Sequence, residues 1–422
     1  MKTTVVNKRE NEKVPFLRGI LIRSLLDAGL SFEQAYAIAT TVREGLASTK
    51  SITSEELQER VVLLLTNQVD KECVEQYRSP SAVPSRILVS NMSGVQSAFS
   101  RGRHARYLQS TGMKAEKAEH TTELIYAQLI SAGVSSVTTC ELGYLTYLCL
   151  LQEVGKKAAK RYVVWSEFQR SSKPLVLLIG GTVAAGKSTI ATEVAHLLEI
   201  VRIQSTDMLR EVMRMMVPKR LLPVLHTSSF KAWKTLPIQD TEDRDWDQLV
   251  AEGYRAQAEL LAVSCEAILQ RAVEESVPVI LEGVHIHPGL LENSLNDSDV
   301  IKVHVMLAVL KSKKLKSRLR GRGAEVPQRR AERYLNGIEA IWSLQSYLLS
   351  EADRYDVPII TTEDREKAIL QIIQQVNAEL ARHFSGSAAQ VFGPVVNELG
   401  TGAESTPWQQ IVSSLRGGSA FA

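Results

Sequence analysis

A glycine-rich stretch near the middle of the chain has the residue types and spacing that bind the phosphates of a nucleotide. It fits the pattern Gly-x4-Gly-Lys-[Ser/Thr], follows an apolar run at residues 175–179 and precedes residues with helical periodicity. Glycines let successive backbone N–H groups turn toward the phosphates, the lysine reaches the β- and γ-phosphates, and the serine ligates Mg²⁺. The sequence therefore predicts a site for ATP and Mg²⁺ formed by Gly181, Thr182, Val183, Ala184, Ala185, Gly186, Lys187, Ser188 and Thr189.

Two acidic residues follow the next two apolar runs. Asp207 comes after residues 200–204, and Glu282 comes after residues 277–281. Ligands of parallel α/β sheets bind at the carboxyl ends of the strands, so both acids are expected on one rim with the glycine-rich loop. Asp207 suits the proton acceptor for a hydroxyl that receives a phosphoryl group, and Glu282 suits a second Mg²⁺ ligand beside Ser188. A helix-capping role for Asp207 and a buried, paired Glu282 are the alternatives.

Cationic side chains near these acids could hold an anionic acceptor. Asp207, Arg210 and Arg214 are spaced by three and four residues, which places them on one helical face. Guanidinium and ammonium groups pair with phosphate and carboxylate groups. We therefore predict that Arg210, Arg214 and Lys231 bind the acceptor, with His285 as a further contact. Ordinary helix salt bridges, and a structural role for His285, are the alternatives.

Lysines and arginines are concentrated between residues 311 and 333, around Gly321 and Gly323. We interpret this stretch as a lid that closes on the transferring phosphate, with Arg322 as its catalytic arginine. No aromatic residues are interleaved with the charges of residues 311–323, which disfavours an RNA-binding surface. A solvated helix face and an RNA contact both stay open as alternatives.

The elements that must position these residues follow from the apolar patterns. Strands are predicted at residues 175–179, 200–204, 277–281, 300–307 and 357–361, with helices from residue 207, at 246–274 and at 363–381. This alternation predicts an α/β domain with a parallel sheet, which we place at residues 171–384. A flexible tail is predicted for residues 385–422, because they are rich in Gly, Ser and Ala.

The front of the chain contains an approximate internal repeat. Residues 15–19 are echoed by residues 98–102, and residues 52–57 by residues 137–142. Each copy reads as a short strand or hairpin followed by helices. We predict two tandem, mostly helical domains at residues 1–70 and 87–170, joined by a linker at 71–86 that is rich in proline and serine.

The composition places limits on the class of protein. The 422 residues are 44% hydrophobic and 23% charged, as in soluble proteins of two or three packed domains. No apolar run approaches the roughly 20 residues of a membrane span, and no secretory signal follows the N-terminal charges, so we expect a cytoplasmic protein without a membrane partner. The four cysteines lack metal-ligand spacing, and a net charge of +3 gives no support for a nucleic-acid partner. A homo-oligomer stays open.

Two sets of residues carry resemblances to known families. Residues 5–19 resemble the ATP-cone, a regulatory nucleotide-binding module, which implies that Lys8 and Arg9 bind a second nucleotide. The second copy departs from this pattern, with Asn91 and Met92 at the aligned positions. The glycine-rich loop together with residues 205–214, 225–233 and 281–285 resembles the 2-phosphoglycerate kinase family, P-loop enzymes with an ATP-cone in front, and the plant low-phytic-acid P-loop proteins.

The resemblance to the kinase family implies an ATP-dependent phosphotransferase. Its expected reaction moves the γ-phosphate of ATP to the 3-hydroxyl of 2-phosphoglycerate and gives 2,3-bisphosphoglycerate. The residues alone leave two other hypotheses open. One is a kinase for another acceptor, such as an inositol phosphate, a sugar or a nucleotide-sugar. The other is an ATP-gated regulatory or RNA-associated protein.

Overall fold

The computed structural model separates into two compact units. It describes residues 3–7, 12–16, 21–22, 24–25, 30, 32–46, 49, 51–68, 74, 77, 87–91, 93–237, 245–290, 300–321, 329–398, 411–412 and 415. Unit 1 comprises Met1–Phe99, Ala127–Thr139 and Ser405–Ile411. Unit 2 comprises Ser100–Tyr126, Cys140–Glu404 and Val412–Ala422.

Unit 1 contains two three-stranded sheets of the same topology. In chain order its elements are β1 Thr4–Asn7, β2 Glu12–Pro15, α1 Phe32–Gly45, β3 Ser51–Thr53, α2 Ser54–Gln68, β4 Leu88–Ser90, β5 Gln96–Ala98 and β6 Ser136–Thr138. The sheet orders are β2-β1-β3 and β5-β4-β6. In both sheets the middle strand is antiparallel to the first neighbour and parallel to the second.

A reciprocal pair of hydrogen bonds marks the start of α2. The Glu56 backbone N–H donates to the Thr53 hydroxyl, and the Thr53 backbone N–H donates to the Glu56 carboxylate, each at 3.2 Å. This is a capping box, which satisfies two backbone donors that the first helical turn leaves unpaired. The local sequence therefore determines where the third strand ends and the helix begins.

Unit 2 contains the predicted α/β fold, preceded by helices of the second repeat. In chain order its elements are α3 Arg101–Ser110, α4 Ala115–Ser131 (which continues into unit 1), α5 Thr139–Glu153, α6 Lys156–Arg170, β7 Leu175–Gly181, α7 Lys187–Leu198, β8 Arg202–Ser205, α8 Thr206–Met216, 3-10 helices Pro223–His226 and Ser229–Thr235, α9 Trp246–Glu274, β9 Val279–Glu282, β10 Ile301–Ala308, α10 Ser312–Gly321, α11 Arg329–Leu335, α12 Ile338–Arg354, β11 Ile359–Thr361, α13 Arg365–His383, α14 Ala388–Val391 and α15 Gly393–Glu398.

The five strands β7–β11 form one parallel sheet in the order β11-β10-β7-β9-β8. The central strand β7 is buried on both faces, as its unbroken apolar sequence predicts. Leu177 belongs to a core cluster with Val194 of α7 and Ile372 of α13, whereas Leu178 packs in a second cluster with Leu269 of α9. Helices therefore cover both faces, and the carboxyl ends of the strands are left to form a site.

The compact units do not follow the predicted domain boundaries. Residues 100–126 and 140–170 of the predicted second front domain group with the α/β fold in unit 2. Within the predicted tail, Ala388–Val391 and Gly393–Glu398 form α14 and α15. Phe392 is 1% exposed and its ring stacks on Tyr162, with centroids 6.2 Å apart. An aromatic anchor thus outweighs the small, polar composition around it.

Within the described part of the chain, no helix combines the length and the apolar character that crossing a bilayer requires.

Two helical glycines provide a matched test of packing. A Cβ on Gly253 of α9 would lie 2.1 Å from the Trp233 backbone nitrogen, whereas a Cβ on Gly102 of α3 would meet nothing within 4 Å. We expect Gly253→Ala to lower the free energy of unfolding by about 1–3 kcal/mol, the usual cost of overpacking. Gly102→Ala should be neutral or stabilising by up to about 1 kcal/mol, because alanine favours helix. Urea denaturation of both variants measures the difference, and equal stabilities would contradict it.

Candidate active site

The predicted nucleotide loop joins β7 to α7 with backbone angles that favour glycine. Gly181 has φ +138° and Gly186 has φ +91°. A Cβ on Gly181 would also lie 2.5 Å from the Leu307 carbonyl oxygen of the neighbouring strand. The loop therefore turns tightly against β10 and leads into the N-terminus of α7, where backbone N–H groups and the helix dipole favour anions.

Lys187 lies at the start of α7 and is 9% exposed. Its Nζ donates a hydrogen bond to the Thr182 carbonyl oxygen at 2.9 Å, so the side chain folds back along the loop. A lysine held in this way keeps its charge at the position where the loop turns around phosphate groups. The predicted triphosphate site depends on this arrangement of the loop.

The structure brings together the two residues that were predicted as Mg²⁺ ligands. The Ser188 hydroxyl donates to the Glu282 Oε1 atom at 2.9 Å. Glu282 lies at the carboxyl end of β9 and is 4% exposed. Hydroxyl and carboxylate oxygens are donors that Mg²⁺ accepts, and Mg²⁺ usually takes few protein ligands and completes its shell with water and phosphate. Elsewhere in the described part of the chain, no group of three or more acidic, histidine or cysteine side chains could hold a metal.

Arg318 of α10 is a neighbour of the loop that the sequence did not single out. Its guanidinium donates to the Ala184 carbonyl oxygen at 3.3 Å and to the Thr362 hydroxyl at 2.8 Å. A further bond joins it to the Thr362 carbonyl oxygen. Burial lowers the pKa of this guanidinium. The only sequence signal was its membership in the basic stretch interpreted as a lid.

Gln345 of α12 is a second residue that sequence reasoning missed. Its amide accepts from the Val309 N–H at 3.1 Å and donates to the Val309 carbonyl oxygen at 3.0 Å. The Thr182 hydroxyl lies 3.5 Å from the same amide oxygen. A buried glutamine thus satisfies the backbone just beyond β10 and connects α12 to the nucleotide loop, and no local sequence pattern reports such a contact.

Asp207 is exposed and lies in the first turn of α8, next to the end of β8. The residue at the helix cap is Ser205, and Asp207 makes no hydrogen bond or ion pair with another described residue. Asp207 is therefore not the N-cap residue of α8, which was the alternative role considered for it. Its carboxylate is accessible at the rim. The charge of Asp207 raises the pKa of His285, and the charge of Lys187 lowers it.

The arginines that were predicted to hold the acceptor are engaged by protein groups. Arg210 donates to the carbonyl oxygens of Leu225 at 2.9 Å and Thr227 at 3.2 Å, and it also pairs with Glu211 at 2.9 Å. Arg214 pairs with the other Glu211 oxygen at 2.5 Å. Helix salt bridges, the alternative considered for these residues, are thus present, and Arg210 connects α8 to the 3-10 segment that follows it.

Lys231 lies in the 3-10 helix Ser229–Thr235 beside other cations. Burial, Arg333 and Lys234 all lower the pKa of its ammonium group. Arg333 of α11 donates to the Ser228 hydroxyl at 2.8 Å, which places it over the start of the same helix. Among the described residues, no carboxylate forms an ion pair with Lys231. Cations placed together with no counter-charge among the described residues favour an anion.

His285 does not lie on the open rim. It is 3% exposed, and its ring nitrogens contact the Thr206 hydroxyl and the Gln257 amide oxygen, both at 3.0 Å. Burial lowers its pKa to about 4, so the ring is neutral near pH 7. The predicted contact between His285 and a substrate therefore finds no free ring nitrogen, and the structural alternative describes its surroundings. Arg322, Lys8 and Arg9 lie outside the described residues.

Three buried histidines predict how stability depends on pH. Burial is the largest cause that lowers the pKa of His104, His285 and His287 to about 4 in the folded chain. The unfolded chain takes up these protons near pH 6.5, so stability is complete above pH 6.5 and falls as the pH drops toward 4. Each histidine contributes a slope of up to about 1.4 kcal/mol per pH unit.

Urea unfolding at several pH values between 7.5 and 5 measures this slope. His104→Gln should reduce it, whereas replacement of the exposed His120 by glutamine should leave it unchanged. A slope that His104→Gln does not reduce would contradict a neutral, buried His104.

Comparison with known proteins points to one family. No protein-family model matches the chain. It is 35% identical over 282 residues to a 2-phosphoglycerate kinase of Pyrococcus furiosus, a match that covers 67% of this chain and 90% of the relative. A 2-phosphoglycerate kinase of Methanopyrus kandleri is 34% identical, with 67% and 85% covered. One from Thermococcus kodakarensis is 32% identical, with 70% and 98% covered.

Proposed function

The chain belongs to the 2-phosphoglycerate kinase family, and on this ground we propose that it transfers the γ-phosphate of ATP to the 3-hydroxyl of 2-phosphoglycerate. The product is 2,3-bisphosphoglycerate. The observation that carries the proposal is the convergence at one sheet edge of a phosphate-binding loop, a Ser188–Glu282 oxygen pair and the carboxylate of Asp207, which has no hydrogen-bond or ion-pair partner among the described residues.

The nucleotide loop and Lys187 hold the phosphates of ATP. Backbone N–H groups at the start of α7 would face the phosphates, and the Lys187 ammonium would stabilise the charge that moves onto the bridging and transferred oxygens. Phosphoryl transfer needs little covalent help from a protein, so positioning and charge stabilisation account for most of the rate. Ser188 and Glu282 would hold Mg²⁺, which neutralises charge on the β- and γ-phosphates when it is bound.

Asp207 accepts the proton of the attacking hydroxyl. A carboxylate that no described residue engages is able to hydrogen-bond the acceptor and to orient its oxygen toward the γ-phosphate. Its place in the first turn of α8, one residue after the buried Thr206, keeps the carboxylate at the rim.

The acceptor is a small molecule with anionic groups of its own. Lys231 and Arg333 form a cationic patch without a described carboxylate partner, and this patch suits the phosphate or carboxylate of 2-phosphoglycerate. A neutral sugar would leave these charges without a partner in a closing site, which is costly. Arg210 and Arg214 contribute by shaping the segment through Glu211 and the backbone, instead of by free guanidinium groups.

Replacement of Lys231 tests the assigned acceptor patch. We expect Lys231→Ala to raise the KM for the acceptor about tenfold or more, with the KM for ATP changed less than about twofold, because an ion contact to one substrate is lost. Lys160→Ala, at an exposed position of α6, is the matched control and should change neither. Steady-state kinetics with each substrate varied separately measures both values. An unchanged acceptor KM would remove Lys231 from the acceptor site.

The proposed reaction is tested with a panel of acceptors. Purified protein is incubated with ATP, Mg²⁺ and one of 2-phosphoglycerate, 3-phosphoglycerate, an inositol phosphate, a sugar or no acceptor, and the products are identified by mass spectrometry. A bisphosphoglycerate formed fastest from 2-phosphoglycerate supports the proposal. Phosphorylation of another acceptor alone would replace the substrate, and hydrolysis without any phosphorylated product would indicate an ATP-gated protein.

A regulatory role for the front repeats is part of the proposal. The two sheets of unit 1 share one topology, which supports two copies of one module. In the second copy the Asn91 carboxamide accepts from the Ser93 and Val95 backbone N–H groups and closes the hairpin turn. A nucleotide bound through Lys8 and Arg9 of the first copy would then be the regulatory one.

A further inference from the structure

A buried chain of hydrogen bonds runs from the base of α8 to the segment that bears Lys231. It begins at Thr206, passes through His285 and Gln257, and ends at the backbone of Val224 and Thr227. Thr206 and Gln257 are both 0% exposed. None of these bonds is local, because the partners come from α8, the loop after β9, α9 and the stretch beyond α8.

The direction of each bond follows from the chemistry at one end. The carbonyl oxygens of Val224 and Thr227 only accept hydrogen bonds, so the Gln257 side chain must turn its NH₂ group toward them. The distance from Gln257 Nε2 to the Thr227 carbonyl oxygen is 3.2 Å. The Gln257 Oε1 atom therefore accepts from the Nε2–H of His285. A neutral imidazole with a proton on Nε2 accepts at Nδ1, so the Thr206 hydroxyl must donate there. One arrangement of protons satisfies the whole chain.

Close packing leaves little room for another arrangement. A Cβ on Gly283, two residues before His285, would lie 1.7 Å from the Thr206 hydroxyl oxygen. The absence of a side chain at this position lets the hydroxyl approach the loop that follows Glu282. The chain is therefore built into the same turn that presents the proposed Mg²⁺ ligand.

The two ends of the chain are the parts that have to act together. Thr206 immediately precedes Asp207, and the carbonyl-bearing segment leads directly to Lys231. Arg210 of α8 donates to the same Thr227 carbonyl oxygen at 3.2 Å, so the segment is held from α8 and α9 at once. These contacts then determine the distance between Asp207, the proposed proton acceptor, and the cationic patch at Lys231 that would bind the substrate's anionic group.

We propose that Thr206, His285 and Gln257 are positioning residues that hold the segment 223–231 at a set distance from Asp207, so that an anionic acceptor is bound with its hydroxyl against the carboxylate. The inference rests on the proposed function. His285 acts through its two neighbours and does not touch the acceptor. The nucleotide loop is not part of this series of hydrogen bonds. Loss of one of the bonds should therefore weaken binding of the acceptor and leave binding of ATP unchanged.

Thr206→Val and Thr206→Ser form the matched pair that tests the chain. Valine has nearly the shape of threonine but cannot donate to His285, whereas serine keeps the hydroxyl. We expect Thr206→Val to raise the acceptor KM about tenfold and to lower kcat/KM for the acceptor further, with the KM for ATP changed less than about twofold. Thr206→Ser should restore most of the acceptor affinity. A parallel rise in both KM values would overturn the proposal.

Amide hydrogen exchange supplies a readout that does not depend on turnover. Peptides that cover residues 223–231 should exchange faster in Thr206→Val than in the unmodified protein or in Thr206→Ser, because the segment loses its anchor. Gln257→Glu, which places a carboxylate against two carbonyl oxygens, should have the same effect and replaces Thr206→Val if that variant does not fold. Unchanged exchange in these peptides would overturn the proposal.

The two readouts separate this inference from the proposed function. If 2-phosphoglycerate is not a substrate, the exchange experiment still decides whether the chain positions the segment, and the kinetic split is measured with the acceptor that the panel identifies. If 2-phosphoglycerate is the substrate but exchange and acceptor KM stay at their normal values in Thr206→Val, the reaction stands and the positioning chain is wrong.

Discussion

Lys187→Ala is expected to reduce phosphoryl transfer by about 10³-fold or more, the largest loss among the single substitutions considered for this chain. The Lys187 side chain is 9% exposed and lies along the nucleotide loop through its bond to the Thr182 carbonyl oxygen. In the proposed complex with ATP, its charge would lie where the γ-phosphate leaves its bridging oxygen. A preorganised charge of this kind stabilises the transition state more than the bound substrate, so kcat should fall more than ATP affinity.

Single-turnover transfer from labelled ATP measures the loss. The fold should persist, because Lys187 belongs to a loop-to-helix junction and its removal opens no apolar core; the unfolding midpoint in urea checks this. A variant that folds and keeps more than about a tenth of the normal rate would show that the loop binds nucleotide without stabilising its transition state, since positioned charges in phosphoryl transfer are worth far more.

Asp207→Asn is expected to lower kcat by about 10²–10⁴-fold, the range for loss of a positioned proton acceptor. The affinity for ATP should change little, since the carboxylate is assigned to the acceptor hydroxyl. The substitution keeps the shape of the side chain, and Asp207 makes no hydrogen bond or ion pair with another described residue, so the fold loses only the interaction of one charge with the helix dipole and with His285. Turnover and ATP binding should therefore respond separately.

The matched control for this substitution is Asp247→Asn. Asp247 is also the second residue of a helix, α9, and is also exposed, so it shares any effect of charge on the helix dipole. It should leave kcat unchanged. An equal loss of ATP affinity and turnover in Asp207→Asn would move Asp207 to the metal or the nucleotide, and the proton acceptor would have to be sought elsewhere on the rim.

Local patterns predicted the elements of unit 2 closely. The helix predicted at residues 246–274 is Trp246–Glu274 in the structure, and the strand predicted at 175–179 extends only two residues further, to Gly181. A long helix repeats its apolar period many times, and a strand buried on both faces is apolar throughout, so both signals are strong. The short edge strand predicted at 200–204 is shifted to Arg202–Ser205, since a half-exposed edge carries a weaker pattern.

Assignments of individual side chains were less complete. Ser188 and Glu282 meet as predicted, because a parallel sheet brings the ends of its strands to one rim. Arg210 and Arg214 were assigned to the acceptor by their charge and spacing. In the structure, Glu211 lies between them and forms an ion pair with each. The same spacing rule that grouped the arginines also describes the salt bridges, so sequence could not choose between the two.

The sequence by itself determined the nucleotide loop, the order of strands and helices, and the placement of Asp207 and Glu282 at one sheet edge. These properties depend on backbone conformation and periodicity, which neighbouring residues specify. Only the tertiary structure decided which polar groups are already occupied. Thr206 and His285 are 79 residues apart in the chain, and His285 and Gln257 are 28 apart, but each pair is joined at 3.0 Å inside the protein. A buried polar group must find a partner wherever packing brings one, and no short stretch of sequence records that choice.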